Sequence, residues 1–407
     1  MQITHKRKTY LKRLIDFRDT AELIKVITGI RRCGKSSLLE LFRDYLLKEG
    51  VKDSAIIKIN FEDMEYSDIN SAKRLHEYVK KNKAKRGKTY VLLDEVQVID
   101  EWERAVNSLR IDRNLDLYIT GSNTYMLNSK LATLLSGRYV EIKMLPLSFA
   151  EFLVFSGAGA KADKNALFEQ YLTQGGFPGL FSIKDDELTR RDYLSGIYNT
   201  IVMKDIIHMN QVRDMDIMEK ITSFLADNIG FMVSAKKIAD YVTSTGRKTS
   251  SDTADNYLRM LENAYLFYRV KRNDIKGKYL MKTNDKFFVA DLGLRNFLKG
   301  KKSDYGSTLE NVVYFELFRR GYTISVGKLD SLEVDFVAWN QEETMYIQVC
   351  VSMMSPEVRE RELLPLRKIK DNYRKIVLSM DPPSPFNDME GIRLYNVIEF
   401  LLHTNEG

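Results

Sequence analysis

The chain has 407 residues, of which 44% are hydrophobic and 29% charged, a composition typical of soluble globular proteins with ample apolar cores. This length predicts two or three domains, and the low count of 7 prolines argues against long disordered stretches. The formal net charge of +7 is compatible with a polyanionic partner such as nucleic acid, although an ordinary solvated surface would give the same excess.

Residues 1–18 are basic and amphipathic, but they lack the apolar core of a signal peptide. No run of the sequence approaches the roughly 18 apolar residues that cross a bilayer, so we expect no membrane partner. The two cysteines, Cys33 and Cys350, offer neither a disulfide framework nor a zinc set, which fits a reducing compartment. We therefore expect a cytoplasmic protein.

The first predicted strand, residues 23–28, runs directly into a glycine-containing loop, Gly29-Ile-Arg-Arg-Cys-Gly-Lys-Ser36, and then into a helical pattern over 37–47. This is the G-x-x-x-x-G-K-[ST] motif in the strand, loop and helix order that it requires. Backbone N–H groups of such a loop face phosphate oxygens, while Lys35 would reach the β- and γ-phosphates and Ser36 would hold Mg²⁺. The candidate nucleotide-binding residues are Gly29, Ile30, Arg31, Arg32, Cys33, Gly34, Lys35, Ser36 and Ser37.

A second apolar strand, residues 89–93, ends in the acid pair Asp94-Glu95. A carboxylate at the end of a buried strand can hold the Mg²⁺ shell, and a second one beside it can polarise the attacking water. The pair follows the phosphate-binding loop by about sixty residues, which predicts hydrolysis of Mg-ATP with Asp94 at the metal and Glu95 as the catalytic carboxylate.

A third strand, residues 115–120, runs into Gly121-Ser-Asn123, whose polar side chains could orient the water from a position between the two nucleotide-site strands. A predicted helix over 128–135, the tripeptide Ser136-Gly-Arg138 and a strand over 139–143 follow. From spacing alone, Arg138 would be an ordinary surface arginine that closes a helix.

The order of these segments resembles the AAA+ superfamily, and most closely the prokaryotic AAA+ proteins that carry a C-terminal domain of unknown function. The resemblance is carried by residues 29–36, 92–97, 136–138, 145–152, 175–178 and 332–336. It implies that Asn123, or Ser122 beside it, senses the γ-phosphate. It also implies that Arg138 is an arginine finger that reaches the ATP of a neighbouring subunit, which requires a homo-oligomer, by family habit a hexamer.

The turn Gly175-Gly-Phe-Pro178 resembles the lid motif of related ATPases, in which the proline packs near the adenine. The same four residues are also compatible with an ordinary Gly-Pro turn. Both interpretations of Pro178 stay open at this point.

Residues 215–284 have the order helix, helix, turn, helix and hairpin, with the hairpin strands expected at 266–272 and 278–282. This order is typical of a winged helix, whose third helix can lie in a DNA groove, although winged helices also dock proteins. Each basic side chain of this segment could neutralise a phosphate, and the absence of an Arg/Asn/Gln cluster on the third helix predicts binding without sequence specificity. These residues are Lys236, Lys237, Arg247, Lys248, Arg259, Lys271, Arg272, Lys276 and Lys278.

The last part of the chain, residues 285–407, has a helix, three strands, a helix and further strands, which resembles the restriction-endonuclease fold. Nucleases of that fold use two acidic positions followed by acid-x-lysine to hold Mg²⁺ and activate water. Glu310 and Asp335 occupy the first two positions, but the third reads Gln348-Val-Cys350. We therefore predict that nuclease activity is absent or weak, unless a lysine from another element takes the missing place.

The sequence as a whole predicts an α/β protein. We expect an AAA+ P-loop ATPase core over 1–146, a helical lid and linker over 147–214, a winged-helix-like domain over 215–284 and a restriction-endonuclease-like domain over 285–407. The leading hypothesis is that Mg-ATP hydrolysis drives DNA binding or remodelling, for example branch migration. The alternatives are a nucleotide-gated signalling or defence switch that acts on a protein partner, and an ATP-dependent nuclease.

Overall fold

The computed structural model describes residues 7–122, 137–207, 212, 214–277, 279–281, 284–299, 304–382 and 388–403. The chain divides into two compact units. The first comprises Met1–Pro146 with Asn263–Tyr265, and the second comprises Leu147–Glu262 with Leu266–Gly407.

The first unit is built on a parallel sheet of five strands in the order β2-β3-β4-β1-β5. The strands are β1 (Ile24–Thr28), β2 (Ile56–Asn60), β3 (Thr89–Asp94), β4 (Leu115–Gly121) and β5 (Tyr139–Lys143). The helices of this unit are α1 (Lys8–Asp16), α2 (Lys35–Lys48), α3 (Ala72–Asn82) and α4 (Trp102–Leu109).

Every residue of the central strands β1, β3 and β4 is buried, which explains why they appear in the sequence as largely apolar runs rather than as an alternating pattern. The charged residues Lys25 of β1 and Asp116 of β4 form a fully buried ion pair. Their side chains form one core with residues from the helices, such as Leu75 and Trp102. Strand β4 lies between β1 and β3, so the polar residues that follow it are placed between the two predicted nucleotide-site strands.

The second unit begins with the helices of the predicted lid segment. These are α5 (Phe149–Phe155), α6 (Lys164–Gln174) and α7 (Glu187–Thr200), and α7 continues as a π-helix over Ile201–Ile207. Helix α5 starts with a complete capping box, in which the Ser148 side chain accepts from the Glu151 N–H and the Glu151 carboxylate accepts from the Ser148 N–H.

Three helices then follow in the places that the sequence predicts, α8 (Met215–Asp227), α9 (Ala235–Ser244) and α10 (Ser251–Asn263). They are accompanied by an antiparallel sheet in the order β6-β10-β7. Its strands are β6 (Met232–Val233), β7 (Phe267–Val270) and β10 (Asp285–Val289).

The predicted hairpin between residues 266–272 and 278–282 forms only at its tip, where the Met281 N–H donates to the Arg272 carbonyl oxygen. Strand β7 pairs with β10, while β9 (Tyr279–Leu280) pairs with β8 (Arg272–Asp274). The apolar run Phe287–Phe288–Val289 is buried against β7, whereas both residues of β9 are exposed, so burial of apolar surface favours the observed pairing. Because β10 pairs with β6 and β7, one sheet contains residues from both sides of the boundary predicted at 284. The division of this unit into domains stays a prediction.

The remaining strands form an additional C-terminal α/β domain around a sheet of eight strands in the order β15-β16-β14-β13-β12-β11-β8-β9. The strands not yet given are β11 (Thr323–Leu329), β12 (Leu332–Trp339), β13 (Thr344–Val349), β14 (Arg374–Ser379), β15 (Asp388–Met389) and β16 (Ile392–Asn396). The helices are α11 (Leu292–Lys299), α12 (Tyr305–Arg319), α13 (Pro356–Lys368) and α14 (Val397–Leu402).

Strands β11, β12 and β13 are antiparallel neighbours, and β13, β14 and β16 run parallel. The predicted α/β fold class, with a P-loop core and a further C-terminal α/β domain, is thus confirmed. Within the described residues, no helix combines the length and the apolar character needed to span a membrane.

Candidate nucleotide site

The loop between β1 and α2 needs glycine at two positions. Gly29 has a φ of 144°, and a Cβ atom there would lie 2.0 Å from the backbone oxygen of Met144. Gly34 has a φ of 105° and is the N-cap of α2. Because glycine has no side-chain acceptor, it leaves the first N–H groups of the helix for an external anion. The loop therefore has the shape and the donors of a phosphate cradle.

The first residue of α2, Lys35, is buried and folds back over this cradle. Its Nζ donates to the carbonyl oxygens of Gly29 at 3.0 Å and Ile30 at 3.2 Å. A charged phosphate oxygen is a stronger acceptor than a neutral carbonyl, so the Lys35 ammonium could exchange these carbonyl hydrogen bonds for hydrogen bonds to the phosphates of a nucleotide. The predicted role of Lys35 fits this geometry.

The two residues predicted to hold Mg²⁺ lie together. The Ser36 hydroxyl hydrogen-bonds the Asp94 carboxylate, which also accepts from the Thr120 hydroxyl. Burial raises the pKa of Asp94, and these two hydrogen bonds oppose the shift. Among the described residues no cluster of three or more His, Cys, Asp or Glu side chains could hold a metal ion, so Mg²⁺ at this pair would depend on phosphate and water ligands.

The neighbouring carboxylate, Glu95, is buried and held in a left-handed backbone conformation with a φ of 54° and a ψ of 45°. This conformation costs roughly 1–2 kcal/mol for a residue with a Cβ atom. The Glu95 N–H donates to the Thr120 hydroxyl at 3.0 Å, and the carboxylate accepts from the amide of Gln97 and lies 3.9 Å from the Arg31 guanidinium. Strain held in place at a polar cluster is a feature of functional sites.

Two residues of this site were missed by the sequence interpretation. Thr120 bridges Asp94 and Glu95 through one hydroxyl, and its position as a polar residue near the end of an apolar strand was the available signal. Arg7, at the start of α1, donates to the backbone oxygens of Cys33 at 2.9 Å and Leu145 at 2.8 Å, and so supports the phosphate-binding loop from below. No local pattern in the sequence connects Arg7 with that loop.

The other loop residues differ in exposure. Ile30 and Cys33 are buried, and burial raises the pKa of the Cys33 thiol, which makes it a packing residue rather than a nucleophile. Arg32, Ser36 and Ser37 are exposed, as expected of side chains that face a ligand or solvent.

The predicted sensor Asn123 lies outside the described residues. Its neighbour Ser122 is buried, and the Ser122 hydroxyl accepts from Gln97 at 3.5 Å, so it belongs to the same polar cluster as Glu95. The alternative sensor residue named from the sequence therefore shares the Gln97 amide with Glu95.

Arg138 is exposed and lies at the end of the parallel strands opposite to the end that carries the phosphate-binding loop of its own chain. Strand β5 runs parallel to β1 with Ile24 opposite Tyr139 and Thr28 opposite Lys143, so Arg138 precedes β5 where the loop follows β1. Five strand residues span about 16 Å, which is more than an arginine side chain can reach. Arg138 therefore cannot serve the nucleotide site of its own subunit.

Pro178 belongs to the second unit, where it begins a short 3₁₀-helix, Pro178–Ser182. The two glycines before it contact Asp291, whose carboxylate accepts from the Gly176 N–H at 2.6 Å. A Cβ atom at Gly175 would lie 2.1 Å from the same carboxylate. The glycines of this motif are thus explained by packing within the second unit.

Comparison with known proteins gives two family matches. Residues 21–153 match a family described as an AAA domain, and residues 165–305 match a domain of unknown function. The chain is 44% identical over 401 residues to an uncharacterized protein of Haemophilus influenzae, covering 97% of this chain and 98% of that protein. It is 30% identical over 387 residues to an uncharacterized protein of Methanocaldococcus jannaschii, covering 91% and 84%.

Among solved structures, a Walker-type ATPase of Pyrococcus abyssi matches 72% of this chain and 95% of its own at 16% identity with a TM-score of 0.49. The ORC1 protein of Aeropyrum pernix in complex with DNA matches 72% and 91% at 14% identity with a TM-score of 0.29. The phosphate cradle and the AAA-domain match define the class of the protein as a P-loop ATPase. The chain belongs to the AAA+ ATPase family whose members carry a C-terminal domain of unknown function.

Proposed function

We propose that the protein hydrolyses Mg-ATP at the loop between β1 and α2. Lys35 and the N–H groups of α2 would bind the phosphates, and Ser36 and Asp94 would hold Mg²⁺. Mg²⁺, when bound, would neutralise charge that develops on the phosphates. The observation that carries this proposal is the single hydroxyl of Thr120, which fixes Asp94 and Glu95 side by side at the open end of the sheet.

Glu95 is the carboxylate assigned to accept a proton from the attacking water. The Gln97 amide orients the Glu95 side chain, and the hydrogen bond from Glu95 N–H to Thr120 holds its strained backbone. A positioned carboxylate of this kind contributes about 10²–10⁴-fold to hydrolysis. Glu95→Gln keeps the shape of the side chain and removes the base, so it should bind ATP and lose most of its hydrolysis.

We further propose that the protein acts as a homo-oligomer, as a hexamer by the habit of the family. Arg138 would complete the ATP site of the next subunit, which is supported by its exposed position away from its own phosphate-binding loop. The γ-phosphate sensor at Asn123 or Ser122 and the packing of Pro178 near the adenine are further parts of this proposal.

The proposed partner is DNA, bound without sequence specificity and remodelled during ATP turnover. Support comes from an open cavity of about 620 Å³ in the first unit. Its lining carries five basic side chains, Lys52, Lys83, Lys85, Arg86 and Lys88, of which Lys83 pairs with Asp112 at 2.7 Å and Lys88 with Asp19 at 3.5 Å. Basic side chains in a concave surface attract phosphate backbones, and the affinity then falls steeply with salt concentration.

Helix α10, the expected groove-binding helix, fits DNA less well. Its charged residues are Asp252, Asp255, Glu262 and Arg259, three acids and one base, giving a net charge of −2. Arg259 also pairs with Asp255 at 2.7 Å. Of the other basic residues predicted to contact DNA, Arg247 pairs with Asp216 at 2.8 Å and Lys278 lies outside the described residues. We therefore expect the phosphate contacts at the basic cavity rather than along α10.

Steady-state ATP hydrolysis tests the proposal, measured with and without linear duplex and four-way-branched DNA at two salt concentrations. Stimulation by DNA that weakens with salt supports the DNA proposal, and a loss of that stimulation in Lys85→Ala/Arg86→Ala would assign it to the basic cavity. Glu95→Gln serves as the inactive control.

The second candidate function is a nucleotide-gated switch that acts on a protein partner. The absence of a positive charge excess on α10 favours it, because its one base, Arg259, is paired with Asp255 and a helix that contacts DNA phosphates needs free basic side chains. Hydrolysis that is slow and indifferent to every DNA would support the switch and leave the ATPase assignment unchanged.

A further inference from the structure

A lysine and three carboxylates converge in the C-terminal part of the second unit. Lys286 of β10 points its ammonium at Glu310 of α12 and at Glu333 and Asp335 of β12. The Lys286 Nζ lies 2.8 Å from Glu310, 2.9 Å from Glu333 and 3.5 Å from Asp335. The Lys286 side chain is almost completely buried, so this ammonium is a fixed part of the site rather than a mobile surface charge.

The electrostatics of the cluster keep Lys286 charged. Burial alone would lower the pKa of Lys286, but the charges of Glu310, Asp335 and Glu333 outweigh it and raise that pKa. The acids outnumber this one cation, and burial together with the charge of Asp335 raises the pKa of Glu310 to about 8. The three carboxylates therefore depend on a positive charge at their centre.

The side-chain oxygen atoms of Asp335 and Gln348, which a metal would need as ligands, already contact groups of the protein. One oxygen of Asp335 accepts from the Val349 N–H at 2.9 Å, and the other faces Lys286. The Gln348 side chain accepts from the Asp335 N–H at 3.3 Å and donates to Glu362 at 2.9 Å. Both ends of the glutamine amide are thus committed within the protein.

We propose that the Lys286 ammonium is the resident cation of this carboxylate site and takes the place that a divalent metal ion would occupy. Lys286 is a lysine from another element, but its ammonium contacts the three carboxylates directly and so fills the place of the metal rather than that of the water-activating lysine. The site accordingly does not bind Mg²⁺ while Lys286 is present, and it does not cleave DNA. Glu310, Glu333 and Asp335 form no metal site in the wild type. Without the ammonium, their uncompensated negative charge would attract a divalent cation into its place. This inference concerns the C-terminal domain and does not depend on the proposed ATPase mechanism.

The distances from the Lys286 Nζ to the carboxylate oxygens also guide the choice of a probe cation. Ligand oxygens lie about 2.0–2.1 Å from Mg²⁺ and about 2.3–2.6 Å from Ca²⁺. The two shorter distances from the Lys286 Nζ are 2.8 and 2.9 Å, which are closer to the Ca²⁺ range. Ca²⁺, which accepts longer and less regular ligand distances than Mg²⁺, is therefore the probe for a variant without the lysine.

The test uses the full chain without nucleotide and compares the wild type with Lys286→Met, which removes the charge and keeps most of the side-chain volume. Thermal unfolding and Ca²⁺ titration calorimetry are the measurements. We expect Lys286→Met to unfold at a lower temperature and to recover when Ca²⁺ is added. We also expect it to bind Ca²⁺ on the order of 10²-fold more tightly than the wild type, because a like charge at contact distance is removed.

The matched control is Lys286→Arg, which keeps the positive charge and should gain no Ca²⁺ binding. If Lys286→Met does not fold, Lys286→Met/Glu310→Gln removes one buried acid together with the lysine and should still gain Ca²⁺ binding over the wild type. Two results would overturn the proposal. One is Mg²⁺-dependent DNA cleavage by the wild type that is lost in Asp335→Asn, and the other is a lysine-free variant that folds and gains no affinity for Ca²⁺.

Discussion

Substitution of Thr120 by valine should slow hydrolysis while leaving the affinity for ATP nearly unchanged. The Thr120 side chain is fully buried, and its hydroxyl accepts from the Glu95 N–H at 3.0 Å and donates to the Asp94 carboxylate. Valine has the same shape but supplies neither hydrogen bond. The Glu95 N–H would then be buried without this acceptor, at a cost of about 1–3 kcal/mol.

That cost adds to the strain that Glu95 already carries at a φ of 54°. The backbone of the variant can relieve both by moving Glu95 out of its left-handed conformation, which would carry the carboxylate away from the attacking water. Loss of a positioning hydrogen bond typically lowers activity by about 10- to 100-fold, which corresponds to about 1.4–2.7 kcal/mol in the barrier. We expect kcat to fall by this factor in Thr120→Val.

The assay separates chemistry from binding. Steady-state hydrolysis gives kcat, and a fluorescent ATP analogue gives the affinity, which should change little because Lys35 and the loop glycines remain in place. The half-saturating Mg²⁺ concentration should rise, because Asp94 loses one of its two hydroxyl partners. The matched control, Thr120→Ser, keeps the hydroxyl and should retain most of the activity. A valine variant with kcat within twofold of the wild type, or a serine variant as slow as valine, would refute the reasoning.

Three further predictions concern other parts of the molecule. Gly29→Ala should abolish ATP binding and lower the stability of the first unit, because the added Cβ would meet the Met144 oxygen at 2.0 Å. Thermal unfolding and nucleotide binding measure the two effects, and Gly159→Ala, where the added Cβ meets no atom, is the control. Arg138→Ala should lower kcat without weakening ATP binding, and mixing it with the inactive Lys35→Ala should restore activity in mixed oligomers; no recovery at any ratio would remove the role in trans. Burial raises the pKa of Asp291 from 3.8 to about 6, so the folded state keeps a proton at pH values where the unfolded state has lost it. The free energy of unfolding should therefore decrease by about 3 kcal/mol as the pH rises from about 4 to about 6. Denaturant unfolding of Asp291→Asn should lack this slope, and equal slopes in both proteins would contradict the assignment.

The sequence by itself determined the local motifs of the candidate nucleotide site. The phosphate-binding loop and the acid pair are local motifs, since a few adjacent residues supply the turn, the donors and the carboxylates wherever the strand and helix around them form. The buried central strands were equally visible, because a strand covered on both faces is mostly apolar, and the charged exceptions Lys25 and Asp116 pair with each other. Gly29, Lys35 and Asp94 needed no knowledge of distant residues.

Tertiary structure alone decided which distant residues complete these motifs. Arg7 reaches Cys33 across 26 positions, and Thr120 reaches Asp94 across the same separation, so neither contact leaves a periodic signal in the sequence. The pairing of β7 with β10 instead of β9 was settled by burial of apolar surface, and it placed Lys286 among three carboxylates. The sequence showed Glu310 and Asp335 and the absence of a lysine at Cys350. The placing of Lys286 among the carboxylates depends on β10 and β12, which belong to different sheets and meet only in the folded protein.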